Sequence, residues 1–236
     1  ISYLLSAWVL FEDLKGVEWL TLMILPVGFI FGAGLFSYYL PSAVPSVGGM
    51  KFGIQTSIFL AGVVKTMFFI ICGLGMYAIL LTENIYSVAS IRTIQLLRAA
   101  RSVGFILTMI VALFFFQTFS SVKMPFYFIG ALIFIVSFVL SVGGLWAIDL
   151  KTYNMREIYI YSVIIALLVA QLGMVLAVWP VKPLIASLVM VAGFYSLLGL
   201  FQQRMVNRVF LGYYAEYIVF PLIVILTAFL ITSWRG

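Results

Sequence analysis

Residues 105–116 read FILTMIVALFFF, and Thr108 is the only polar side chain among them. Residues 164–178, IIALLVAQLGMVLAV, share the feature, with Gln171 as the only polar side chain. A strand of a membrane barrel alternates apolar with polar residues over about ten positions, and neither stretch alternates. A helix crossing the hydrocarbon core needs about 20 mainly apolar residues. Both stretches therefore read as transmembrane helices, and the fold as all-α.

Working outward, the rare charges serve as a ruler. Arg101 and Lys123 bracket the first stretch with 21 uncharged residues between them. The other intervals are 32 residues from Glu18 to Lys51, 17 from Lys65 to Glu83, 25 from Lys123 to Asp149, 24 from Glu157 to Lys182, 21 from Lys182 to Arg204 and 18 from Glu216 to Arg235. Each reaches the minimum for crossing, which predicts a polytopic bundle of seven spans. Span one ends near Tyr39, because Pro41, Pro45, Gly48 and Gly49 make a turn-rich loop. Residues 52–64 are too short to cross alone. Of two readings, an interfacial segment is preferred to an extension of span two, since a Lys65 centred in the bilayer costs about 2.5–3.5 kcal/mol. Residues 1–16 are read as an apolar segment that is either interfacial or the end of an eighth helix, and residues 17–236 as one helical bundle.

Composition agrees. Of 236 residues, 65% are hydrophobic and 8% charged, against about 45–50% and 25% in soluble domains. That excludes a soluble enzyme, a disordered tail and a basic nucleic-acid-binding domain. With no His and Cys72 as the single cysteine, neither the usual zinc ligand sets nor an intrachain disulfide is available, and no metal or cofactor is expected. A retinal protein needs a lysine in its last span, and residues 216–236 contain none.

Trp19, Trp146, Trp179 and Trp234 fall at predicted span ends, as do Tyr38, Tyr39, Tyr127, Tyr213 and Tyr214, where amphipathic rings prefer headgroup depth. Alternating spans put Lys15, Arg92, Arg98, Arg101, Lys151, Arg156, Arg204 and Arg208 on one side and Lys51, Lys65, Lys123, Lys182 and Arg235 on the other. The richer side is expected in the cytoplasm of a bacterial-type inner membrane, with the C-terminus outside. Gly28 and Gly32 form a Gly-x-x-x-Gly pair, read as a contact within the bundle in preference to a dimer face. Pro26 and Pro221 each remove one helix hydrogen bond.

The densest polar segment spans residues 82–101. Arg92, Gln95, Arg98 and Arg101 recur every third residue, so a helical stripe would wind, with Arg98 and Arg101 on one face and Arg92 about 120° from Arg98. The preferred reading is a set of headgroup anchors that fix topology. A phosphate-binding pocket of arginine forks and a voltage sensor are the alternatives. Glu83 is the one carboxylate placed near hydrocarbon, read as an ion-pair partner of the arginines or as a proton-binding group. Asn84 is read as a helix cap. Gln117 and Gln171 are expected to hydrogen-bond neighbouring helices within the membrane.

Residues 80–102, LLTENIYSVASIRTIQLLRAARS, with the span that follows and the Trp179-Pro180-Val181 turn, resemble an uncharacterised family of small bacterial multi-spanning membrane proteins. The likeness runs from Gly16 onward. It implies a polytopic helical fold and carries no activity, cofactor or catalytic residue.

The resulting expectation is a non-enzymatic protein that interacts with membrane lipids. A transporter is the first alternative, and it calls for a polar cavity near mid-membrane reached by Gln117, Gln171 or Glu83. A lipid-modifying transferase is the second, and it calls for Arg92, Arg98 and Arg101 to converge with Glu83 on one cleft.

Overall fold

In the computed structural model every uncharged interval carries a helix. The helices are α1 (Glu18–Ser37), α2 (Ile54–Ile91), α3 (Leu97–Ser121), α4 (Phe126–Trp146), α5 (Met155–Val178), α6 (Pro183–Met205) and α7 (Leu211–Ile231). The described residues are 18–42, 46–47, 50–51, 53–91, 95–122, 124–148, 155–206 and 211–232. Segment 1–16, Arg92 and Lys123 lie outside them. Between α1 and α2, β1 (Ser46–Val47) pairs antiparallel with β2 (Met50–Lys51), Ser46 opposite Lys51 and Val47 opposite Met50. Five helices, α2 to α6, are long and apolar enough to cross a bilayer, and the apolar stretches Thr21–Ser37 of α1 and Ala215–Ile231 of α7 are shorter. The chain is a polytopic membrane protein of seven described helices.

Helix α3 holds the centre, packed against α1, α2, α4 and α6. Its Val111, Ala112 and Phe116 are fully buried, and the Phe116 ring meets Phe194 of α6 edge-on, 6.2 Å between centroids. Lipid chains are as apolar as leucine, so no solvent drives these helices together, and close packing must hold them. Small residues supply it. A side chain on Gly28 would meet Val111 at 3.4 Å, and one on Gly32 would meet Phe115 at 3.1 Å. The Gly28/Gly32 pair therefore seats α1 against α3 inside the bundle. Helices α4 and α5 form the closest pair, with Gly130 under Met174 and Gly173 under Ile133. Helices α2 and α7 sit at the periphery, α7 resting on α6.

One expectation is overturned. Residues 54–64 are not a separate segment, because α2 runs unbroken from Ile54 through Lys65 to Ile91; Phe52 lies outside the described residues. At 1.5 Å per residue its 38 residues measure about 57 Å, nearly twice the hydrocarbon thickness. Lysine is a good helix former, and its long stem carries the ammonium away from hydrocarbon. No proline interrupts residues 54–91, so nothing local stops the helix at either Lys65 or Glu83. A second correction concerns Trp146. It ends α4 as expected but is 2% exposed, packed into the bundle instead of reaching headgroups. Tyr38 and Tyr127 are exposed at their helix ends, as interfacial rings should be.

Candidate functional site: a polar cavity at the arginine end

Helix α4 ends at Trp146, and its last carbonyls need donors that hydrocarbon cannot supply. Two neighbours provide them. Arg101, in the second turn of α3, donates from Nε to the Ala147 carbonyl at 3.2 Å and from an η nitrogen to the Ile148 carbonyl at 2.7 Å. Gln202, near the end of α6, donates to the Gly144 carbonyl at 3.0 Å. A guanidinium at a helix C-terminus also meets the negative end of the helix dipole. These bonds tie α3, α4 and α6 together at one end of the bundle.

Beneath them lies a cavity of about 30 Å³, whose walls include Glu83, Tyr86, Arg101, Thr108, Trp146 and Gln202. Thr82, Glu83, Tyr86 and Ser87 form the buried face of the last part of α2. Tyr86 Oη donates to the Ala100 carbonyl at 3.0 Å, and Thr108 Oγ1 to the Gly104 carbonyl at 2.8 Å. Gly104 makes this approach possible, since any side chain there would press on the Tyr86 hydroxyl. Glu83 is 4% exposed and lines the cavity together with Arg101, Thr108 and Gln202. Arg101 shares the cavity with it, but its Nε and one η nitrogen are held on the α4 carbonyls.

A second space lies beside the cavity. An open groove of about 400 Å³ runs between α1 and α4, lined by apolar side chains including Met23, Val27, Phe31, Ile135 and Val139. Ile24 and Leu140 line both the groove and the polar cavity.

The other residues singled out in the sequence are scattered. Of the every-third-residue stripe, Arg98 and Arg101 lie on α3, which begins at Leu97, and Gln95 precedes it. Gln95 lies exposed in the intervening turn, and Arg98 is exposed on α3 away from the cavity. Arg92, as noted, is outside the described residues. Asn84 caps nothing, for it stands exposed within α2. Gln117 is tied to α6, with Ser187 Oγ donating to its Oε1 at 2.8 Å, and its own Nε2 donates to Ser121 Oγ at 3.3 Å. Gln171 faces outward from α5 and reaches no neighbouring helix among the described residues. Gln117→Leu is therefore expected to lower stability by about 0.6–2 kcal/mol. Gln171→Leu should leave it unchanged or raise it. Denaturation midpoints of the two variants in detergent check the contrast.

Two cavity residues escaped sequence reading. Tyr86 stands three residues after Glu83 and could have been found by helical spacing, had α2 been continued past Glu83. Gln202 lies about a hundred residues away in sequence, with no local signal tying it to Arg101. Comparison with curated proteins and with solved structures gives no match. A family model described as a protein of unknown function, DUF5656, matches residues 10–231. That match covers nearly all of the helical bundle just described, and the chain belongs to the DUF5656 family.

Proposed function

We propose that the protein is a non-enzymatic membrane protein that holds a lipid, its chain in the α1–α4 groove and its headgroup at the arginine end. The observation carrying this reading is the adjacency of an apolar groove and a polar cavity, which share Ile24 and Leu140 in their walls. That succession of apolar and charged walls has the polarity of a phospholipid. A volume of about 400 Å³ lies within the range usual for ligand sites, about 300–1,000 Å³. Exposed Arg98, Arg156 and Arg204 stand around the same end, suited to anionic headgroups at the cytoplasmic face of an inner membrane. Among the described residues a single carboxylate lines the cavity, with no second acid beside it, and one carboxylate alone gives little support to acid–base group transfer. A transporter finds less support, since Gln117 is engaged by Ser187 and Gln171 faces outward.

The test uses a phospholipid carrying a diazirine on its acyl chain, photolysed with the full chain in bilayers. Crosslinks are expected to concentrate on Phe31, Ile135 and Val139. In the Val139→Trp variant, whose indole fills the groove, labelling of Phe31 and Ile135 should fall several-fold, by about fivefold or more on the scale of a lost site. Labelling spread evenly over α2, α5 and α7 would defeat the reading.

A further inference from the structure

The polar cavity at the arginine end is walled by α1, α2, α3, α4 and α6. Donors and acceptors are mixed around it. Tyr86 and Thr108 each give their one O–H to a backbone carbonyl, and a hydroxyl that has donated keeps lone pairs for accepting. Arg101 and Gln202 donate to carbonyls at the end of α4. A guanidinium has five N–H groups in all, and a carboxamide has an oxygen acceptor besides its two N–H groups. These walls lie deep, for Tyr86 is 3% and Trp146 2% exposed.

Volume and wall chemistry together decide what can enter. One water needs about 10–15 Å³ of such space, and the cavity offers about 30 Å³. A lipid phosphate is too large for it. A bare ion would fit, but an ion answers to partners of one kind only. Water both donates and accepts, which suits a mixed wall. Cavities that stay dry are lined by apolar groups, and this one is not.

We propose that the cavity is an internal water site, holding about two water molecules that bridge side chains of α2, α3 and α6 at the end of α4. Each water would make about two to four hydrogen bonds, supplying partners at a depth where hydrocarbon supplies none. The site stands whether or not the groove holds a lipid, and it leaves any headgroup to the exposed arginines outside the cavity.

The experiment uses the full chain in bilayers, exposed to millisecond X-ray pulses that turn water, bulk or bound, into hydroxyl radicals. A radical born from an internal water oxidises the side chain beside it before it can diffuse away. Oxidation is read residue by residue by mass spectrometry, each rate divided by that of the same residue in the unfolded chain. Exposed Tyr38 serves as the bulk-solvent reference. Tyr86 and Trp146 are expected to be oxidised several-fold faster than Phe116 and Phe194, which are as deeply buried but are not part of the cavity wall. The larger side chain of Thr108→Leu fills the space, so oxidation of Tyr86 and Trp146 should then fall to the level of Phe116. Should that variant not fold, Thr21→Leu fills the cavity from α1 and is read in the same way. Wild-type Tyr86 and Trp146 no faster than Phe116 would overturn the assignment, since the cavity would then be dry or hold an ion. Rates unchanged in the filled variant would overturn it as well, because the radicals would be arriving from bulk solvent.

Discussion

Replacing Arg101 with leucine is expected to destabilise the bundle by about 3 kcal/mol, the scale of two hydrogen bonds from a charged donor discounted for partial exposure. The carbonyls of Ala147 and Ile148 would lose their donors at a depth where water is scarce. The connection of α3 to the end of α4 would go with them. Arg101→Lys should recover part of the loss, since an ammonium supplies charge to the helix C-terminus but not the planar fork that reaches both carbonyls. Gln202→Leu should cost less, about 1 kcal/mol, because it removes one neutral donor from the Gly144 carbonyl. Equilibrium denaturation in mixed detergent micelles, compared across the three variants, reads the order directly. Equal stability of Arg101→Leu and wild type would show that α4 is held by packing alone.

Gly104→Val should be similarly severe, at about 3 kcal/mol. Its side chain would drive into the Tyr86 hydroxyl, with the Thr82 methyl 3.3 Å from the new Cβ. Helix α2 would have to move away from α3, breaking the Tyr86–Ala100 hydrogen bond and opening the cavity wall. The clash has a named partner, which permits a double-mutant cycle. Tyr86→Phe removes the hydroxyl, so Gly104→Ala combined with Tyr86→Phe should be less destabilised than the sum of the two single changes, by about 1 kcal/mol. Strict additivity would mean that α2 and α3 do not meet at this point.

The seven uncharged intervals, those around Thr108 and Gln171 among them, were sufficient to place seven helices, because the energy of moving a segment into hydrocarbon depends on its own composition. The same ruler failed at Lys65 and Glu83, where a charge was taken for a boundary. A helix ends when its backbone hydrogen bonding is interrupted, and α2 contains no residue that interrupts it between Ile54 and Ile91. The spacing of Gln95, Arg98 and Arg101 is likewise not that of one helix. Gln95 and Leu96 lie in a turn ahead of Leu97, where α3 begins, so Gln95 precedes the helix that carries Arg98 and Arg101.

Gln117 and Gln171 make the remaining limit plain. Each is a solitary amide in an apolar span, and the sequences around them give no reason to treat them differently. One binds Ser187 across a helix interface, and the other faces outward. The rotation of each helix about its axis is set by which surfaces interlock, since lipid rewards every apolar face alike. Glu83, Arg101 and Gln202 share a cavity for that same reason: partition into the membrane was written in local composition, but their meeting depended on small residues such as Gly104 and Gly144 admitting close neighbours at one end of α4.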